Sequence, residues 1–277
     1  MNMKTKYISL SVWAVLLALT MTSCDGLLNQ PPYDDFTDEE YWQNEDQART
    51  YMYGFYTSIF SGYGTGTSHG PFLMGQTLND DFASDVEQKD LTPLVVPESD
   101  GSWSFSNIRK ANYALASIDR IDATPAVKNH WRGVARFFRA CYYSNLVFRY
   151  GDVPWYDRVP KLSNNKEDMD YLYKDRDPRA FVDSCIMTDF QYAMDSVREN
   201  DGPLQINRYV VAAMASRFML REGTFLKYHN IDTKLAEQCL TMAKVAAEIV
   251  MKSNKYAIAP SYNALFTSED LGSNPEI

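Results

Sequence analysis

The sequence predicts an all-α, mainly helical chain of antiparallel hairpins joined by long irregular loops. Three observations carry this. Apolar residues recur at three- and four-residue steps through four or more stretches of about 15 to 25 residues, the spacing of one helix face. Capping residues open those stretches and glycine or proline closes them. Small residues (Ala212, Ala213, Ala215, Ala243, Ala246 and Ala247) sit where neighbouring helices need to approach closely. The 277 residues, 45% hydrophobic and 23% charged, suffice for one large or two small domains and exclude a disordered chain. The 27 basic residues against 36 acidic ones give a net charge of −9, which argues against nucleic acid as a partner.

The chain begins with an export signal. Lys4 and Lys6 precede an apolar run from Ile8 to Met21, broken only by Ser9, Ser11 and Thr20. That run is too short for a comfortable membrane span and suits a signal-peptide core. It ends in Met21-Thr22-Ser23-Cys24, which resembles a bacterial lipobox with Met21 in place of the commoner leucine. Residues 1–23 are therefore expected to be removed and Cys24 to carry acyl chains, several of which anchor stably where one would not. Residues 24–36, with Pro31-Pro32, read as an extended tether, and residues 37–277 as the helical domain. No later run is long enough to span a membrane.

Thr37-Asp38-Glu39-Glu40 looks like a short helix start. A stronger helix runs from Asn44 or Glu45 to Phe60 on a stripe of Ala48, Tyr51, Met52, Phe55, Tyr56 and Ile59. Ser61 to Pro71 is glycine-rich but lacks the lysine and spacing of a phosphate loop. The irregular stretch from Asn79 to Trp103 is long for a compact domain, and such loops commonly carry function. A helix follows over SNIRKANYALASIDRID, beginning at Ser106. Pro125 then opens the central helix, where Trp131, Val134, Ala135, Phe138, Cys141 and Tyr142 share one face and Arg132, Arg136 and Arg139 lie largely off it. Gly151 and Pro154 end this helix near Tyr150. Tyr156 to Asp177 reads as a polar loop, and its acids lack the glycine of a calcium loop. Asp177-Pro178 opens a helix to about Val197 with a stripe of Phe181, Cys185, Met187, Gln191 and Met194. After the turn Asn200-Asp201-Gly202-Pro203, Asn207 caps a helix to about Glu222, and Gly223 to Asn230 reads as a break. Asp232 or Thr233 caps the last clear helix, with Leu235, Cys239, Met242, Ala243, Ala246, Ile249 and Val250 on one stripe. The hairpins resemble tetratricopeptide-like pairs, although no 34-residue repeat aligns.

Gly133-Val134-Ala135-Arg136-Phe137-Phe138-Arg139-Ala140, Tyr142-Tyr143, Leu146-Val147 and Tyr150-Gly151-Asp152-Val153-Pro154 together resemble the most recognisable segment of SusD/RagB-type proteins. Arg208-Tyr209, Ser216-Arg217, Glu222 to His229 and Asn274-Pro275-Glu276-Ile277 continue the resemblance. It implies a SusD-like fold in which loops on a helical scaffold carry the ligand site, and the chain reads as the N-terminal half of such a protein. It further implies an outer-membrane, surface-facing nutrient-binding lipoprotein. Such a protein captures a glycan or oligosaccharide and hands it to a SusC-like TonB-dependent transporter, acting as its lid. Peptide in place of glycan remains open within the same resemblance, as does a surface-anchored glycan-degrading enzyme. Sugar capture needs aromatic faces for stacking and planar polar groups for hydroxyls. Trp103, Tyr63 and Asn107, with Asp81 on the preceding loop, are the candidates on that logic.

Catalytic patterns are absent from the sequence. His69, His130 and His229 are scattered, none in HExxH and none beside a GxSxG motif, so no catalytic residue is assigned. Cys141, Cys185 and Cys239 form no CxxC pair and no zinc spacing, so neither cofactor nor metal is expected and the thiols are expected to be free and buried.

Overall fold

The computed structural model describes residues 41–60, 101–160, 165–267 and 274–276. The predicted start at Thr37, the glycine-rich loop after Ser61, most of the following irregular stretch and the segment around Cys24 lie outside these residues. The chain divides into two units, residues 1–42 and 43–277, and the helices of the predicted scaffold belong to the second.

The helices are α1 (Glu45–Ile59), α2 (Ser106–Ser117, continued by a 3-10 turn Ile118–Arg120), α3 (Pro125–Tyr150), α4 (Lys166–Leu172), α5 (Arg179–Ser196), α6 (Arg208–Tyr228), α7 (Thr233–Lys252) and α8 (Tyr262–Thr267). Their ends follow from local chemistry. At α1, Asn44 Oδ1 accepts the Gln47 N–H at 3.1 Å and Gln47 Oε1 accepts the Asn44 N–H at 3.2 Å, a reciprocal capping box. Thr124 caps α3, whose first residue is Pro125, and Gly151 closes it at φ +74°. Asn207 Oδ1 accepts two N–H groups of α6, from Tyr209 and Val210. Asp232 caps α7. Among the described residues the only bridge is an isolated antiparallel one, Val153 with Asp177.

Helix α3 is the centre. It packs most extensively on α5 and also on α2, while α6 pairs with α7 and lies against α5. An aromatic seam joins the layers: Phe55 stacks on Phe138 at 5.0 Å, Phe137 meets Phe190 edge-on at 6.4 Å, and Phe190 stacks on Phe218 at 5.9 Å. Two helical glycines mark the closest approaches. A Cβ on Gly133 would stand 2.7 Å from Val197 Cγ2, and one on Gly223 would stand 2.8 Å from Leu240 Cγ.

The structure corrects the sequence reading in four places. Gly223 does not break α6, which continues to Tyr228; the residue is glycine because α7 lies against it. The segment from Tyr156 to Asp177 contains α4, capped by Asn165 Oδ1 on the Asp168 N–H at 2.8 Å. The buried face of α5 is Val182, Ile186, Phe190, Ala193 and Met194, whereas Phe181 is 48% exposed. The expected stripe is displaced because Asp183 and Asp189 also lie on the buried face. Arg139, expected off the apolar face of α3, is buried. Cys141 and Cys239 are buried free thiols, and Cys185 is half-buried. Burial pushes the Cys239 thiol up to about 12.

Candidate functional site

The N-terminal turn of α2 and the C-terminal half of α3 converge on a cleft of about 460 Å³. Ser102, Ser104, Asn107, Tyr142, Asn145 and Arg149 are among its lining residues. Trp103 stands beside it, 37% exposed. The Trp103 ring meets Tyr150, itself in the cleft wall, edge-on at 4.9 Å and Phe105 at 5.4 Å. The Arg176 guanidinium lies 4.7 Å over the same ring. The indole is thus braced by neighbours while a third of it stays open to solvent.

Of the four sequence-predicted ligand residues, the structure brings Trp103 and Asn107 to one end of the fold. Tyr63 and Asp81 lie outside the described residues. Sequence reasoning misses Asn145 and Arg149, because periodicity presents α3 as scaffold. Tyr142, Asn145 and Arg149 recur at three- and four-residue steps, so they share one face of α3, and that polar spacing is a usable signal. Periodicity puts Tyr142 on the core face, yet its phenol reaches the rim, hydrogen-bonds to Ser58 Oγ and is pushed above the usual tyrosine range by burial. Hydroxyls, amides, a guanidinium and an exposed indole around one cleft can hydrogen-bond sugar hydroxyls and stack on sugar C–H faces.

The segment after α3 is clamped from beneath. Asn112, buried on α2, donates from Nδ2 to the Tyr156 carbonyl at 2.8 Å and accepts from Arg139 Nη1 at 2.7 Å. The Tyr156 N–H donates to Tyr143 Oη at 2.6 Å. Arg139 completes its shell with a two-point pair to Asp189 on α5, Nε to Oδ2 at 2.7 Å and Nη2 to Oδ1 at 2.8 Å. Through Arg139 and Tyr143 the same stretch of α3 that lends Tyr142 and Tyr150 to the first cleft also fixes the chain at Pro154–Asp157.

Two further charged sets hold the scaffold. His130 is buried, its Nδ1 accepting the Arg198 N–H at 3.2 Å, and burial holds its pKa down to about 4. Between α5 and α6, Arg179 Nη2 donates to Glu222 Oε2 at 2.5 Å and Arg221 Nε to Oε1 at 3.0 Å. Asp183 is buried beside them with no hydrogen bond on either oxygen, and burial, reinforced by the Glu222 charge, pushes its carboxyl up to about 8. Among the described residues no group of three or more His, Cys, Asp or Glu side chains is placed to hold a metal ion. No helix among them is long and apolar enough to cross a membrane.

This arrangement of helices has solved counterparts. Bacteroides fragilis NanU matches with a TM-score of 0.58 at 16% identity, covering 90% of this chain and 49% of that one. A SusD-like protein from the same species matches with a TM-score of 0.56 at 18% identity, covering 83% of this chain and 42% of that one. The fold is SusD-like. A third structure, described as a SusD-like carbohydrate binding protein from B. fragilis, matches with a TM-score of 0.56 at 16% identity over 81% of this chain and 44% of that one. In sequence, SusD-like protein P38 of Formosa agariphila is 22% identical over 243 residues, 80% of this chain and 47% of the relative. No family model matches the chain. The chain spans about half the length of the curated relative it matches. The SusD/RagB resemblance and the helical SusD-like fold read from the sequence are both borne out.

Proposed function

We propose that the chain is the N-terminal part of a surface nutrient-binding lipoprotein that captures a glycan at the α2–α3 cleft. The observation that carries this reading is a braced, partly exposed Trp103 beside a cleft rich in hydroxyl and amide groups, on a SusD-like fold. The B. fragilis relative described as carbohydrate-binding supports it. In this reading residues 1–23 are a signal peptide, Cys24 carries the lipid, residues 24–36 are the tether, and residues 37–277 belong to the binding body. Trp103 stacks on a sugar ring, Asn107 hydrogen-bonds its hydroxyls, and Tyr63 and Asp81 contribute from the preceding segment. The captured oligosaccharide then passes to a SusC-like TonB-dependent transporter in the outer membrane, with this protein as its lid.

The test is calorimetric titration of the purified chain with a panel of neutral oligosaccharides. A binder should lose roughly tenfold in affinity in Trp103→Ala, the order expected when one aromatic stacking contact is removed. Unchanged binding in that variant would remove the cleft from the proposal. Chain-shortened products in the same incubations would favour the glycan-degrading alternative, and binding of peptides alone would favour peptide uptake. Recovery of a TonB-dependent barrel with the lipidated protein from outer membranes checks the transporter step.

A further inference from the structure

A second cleft, also of about 460 Å³, is lined in part by the clamped segment, through Trp155 and Asp157. Its walls come from α2, α3, α5 and the chain after α3, and Arg132, Arg136 and Arg139 all line it, with Trp155 and Asp189. Three guanidinium groups on one cleft are unexpected in a chain of net charge −9.

Their charges are unequally answered. Arg132 pairs with Asp119 and also donates to Asn129 Oδ1 at 3.1 Å. Arg139 takes both oxygens of Asp189. Asp157 also lines the cleft, but its Oδ1 accepts the Tyr171 hydroxyl at 3.1 Å, and Arg158 lies over that same ring at 4.4 Å. Arg136 is the least engaged of the three. Its guanidinium lies 4.2 Å over the Tyr192 ring, its Nη1 stops 3.7 Å from Asp189 Oδ1, and its Nε is buried with no hydrogen-bond partner. The side chain is nonetheless 32% exposed, and it faces the cleft. A cation held in place by a ring, short of acceptors and opening onto a walled cavity, is the arrangement that recognises an oxyanion. The indole of Trp155, held at 5.1 Å beneath Arg139, supplies an apolar wall. The volume of about 460 Å³ is within the range of small-molecule sites.

We infer that this cleft is a second ligand site that takes a carboxylated saccharide, a uronic acid unit or its short oligomer, with Arg136 as the residue that binds the carboxylate. The site is separate from the α2–α3 cleft and does not require that cleft to bind anything.

The test uses trigalacturonate and a neutral galactose trisaccharide as probes, titrated into the purified chain and into Arg136→Gln, Arg136→Lys and Trp103→Ala. Trigalacturonate should bind and weaken as salt is raised. Affinity should fall roughly tenfold or more in Arg136→Gln, less in Arg136→Lys, and stay unchanged in Trp103→Ala. Equal trigalacturonate affinity in wild type and both Arg136 variants would overturn the inference. So would equal competition by acetate, which would show a simple anion site without a sugar requirement. Loss in Trp103→Ala with no change in Arg136→Gln would also overturn it, by assigning the acidic sugar to the first cleft. Thermal melts of the variants separate lost binding from lost folding, and Arg136→Lys keeps the test open if Arg136→Gln does not fold.

Discussion

The sharpest stability prediction concerns Asp183. Its carboxyl sits inside the α5–α6 layer, and its neighbours leave it without a donor. Arg179 and Arg221 are engaged with Glu222, and Arg179 Nε stands 3.8 Å away. Folding therefore raises the Asp183 pKa from 3.8 to about 8. The folded state then holds this proton more tightly than the unfolded state does. The resulting contribution to stability is complete below about pH 4 and is lost as pH rises towards 8. At 1.36 kcal/mol per pH unit, the whole interval corresponds to a ceiling of about 6 kcal/mol. The side-chain amide introduced by Asp183→Asn is neutral throughout, so the stability of that variant should lack this slope. Urea unfolding of both proteins from pH 5 to 9 reads it directly. The advantage of Asp183→Asn over wild type should grow by about 1 kcal/mol per pH unit up to pH 8 and then level off. Parallel stability profiles for the two proteins would refute the reasoning, because they would mean that Asp183 carries the same proton occupancy folded and unfolded. The other titratable groups facing this site are Glu222 on α6 and Cys239 on α7, whose thiol is pushed up by burial and then by Asp183.

Two more perturbations test the packing. Gly223→Ala would place a methyl 2.8 Å from Leu240 Cγ and 3.1 Å from the Ala236 carbonyl oxygen. Despite the better helix propensity of alanine, worth about 1 kcal/mol, overpacking should leave a net loss of roughly 1–2 kcal/mol in chemical denaturation. A gain in stability would show that α6 and α7 do not touch there. Asp189→Ala should cost roughly 3–5 kcal/mol, because it strands Arg139 as a buried cation and loosens the clamp through Asn112 on Tyr156. A loss below about 1 kcal/mol would count against a buried pair.

Why some of this is legible in the sequence and some is not is clearest from paired residues of the same type. Gly151 and Gly223 look alike in sequence, each near the end of an apolar helical run. Gly151 is legible because its signal is local: a positive φ at a helix end, with Pro154 three residues on. Gly223 misleads because its reason lies in Leu240, on another helix, and no window around residue 223 contains it. The arginines of α3 divide in the same way. Arg132 and Arg139 are seven residues apart, nearly two full turns, so periodicity puts them on similar faces. One pairs with exposed Asp119, and the other is buried against Asp189. Which occurs depends on where α5 places its acid, and that acid is itself disguised, since Asp183 and Asp189 interrupt the buried face that periodicity would otherwise reveal.

The same logic bears on the two clefts. Trp103 and Asn107 can be nominated from sequence because they lie in and just after an irregular stretch, where binding residues concentrate, although a tryptophan there can equally anchor the next helix. Asn145 and Arg149 share a face with Tyr142 by spacing, but only the start of α2 beside them turns that face into a cleft wall. The Arg136 cleft is harder still, since its mark is a guanidinium met only by a 3.7 Å ion pair and a ring, a property of α2, α3, α5 and the segment after α3 taken together. Helix α3 contributes Tyr142, Asn145 and Arg149 to the first cleft, and Arg132, Arg136 and Arg139 to the second. A helix clamped at both ends by caps and through its middle by Asp189 can present both sets in fixed positions, so ordering lost in ligand binding is small. That rigidity predicts that ligands at the two clefts bind independently, with the affinity for either unchanged by saturation of the other. Titrating trigalacturonate into the chain already saturated with a neutral oligosaccharide measures this, and a shift of more than about threefold in affinity would mean that α3 moves between two positions.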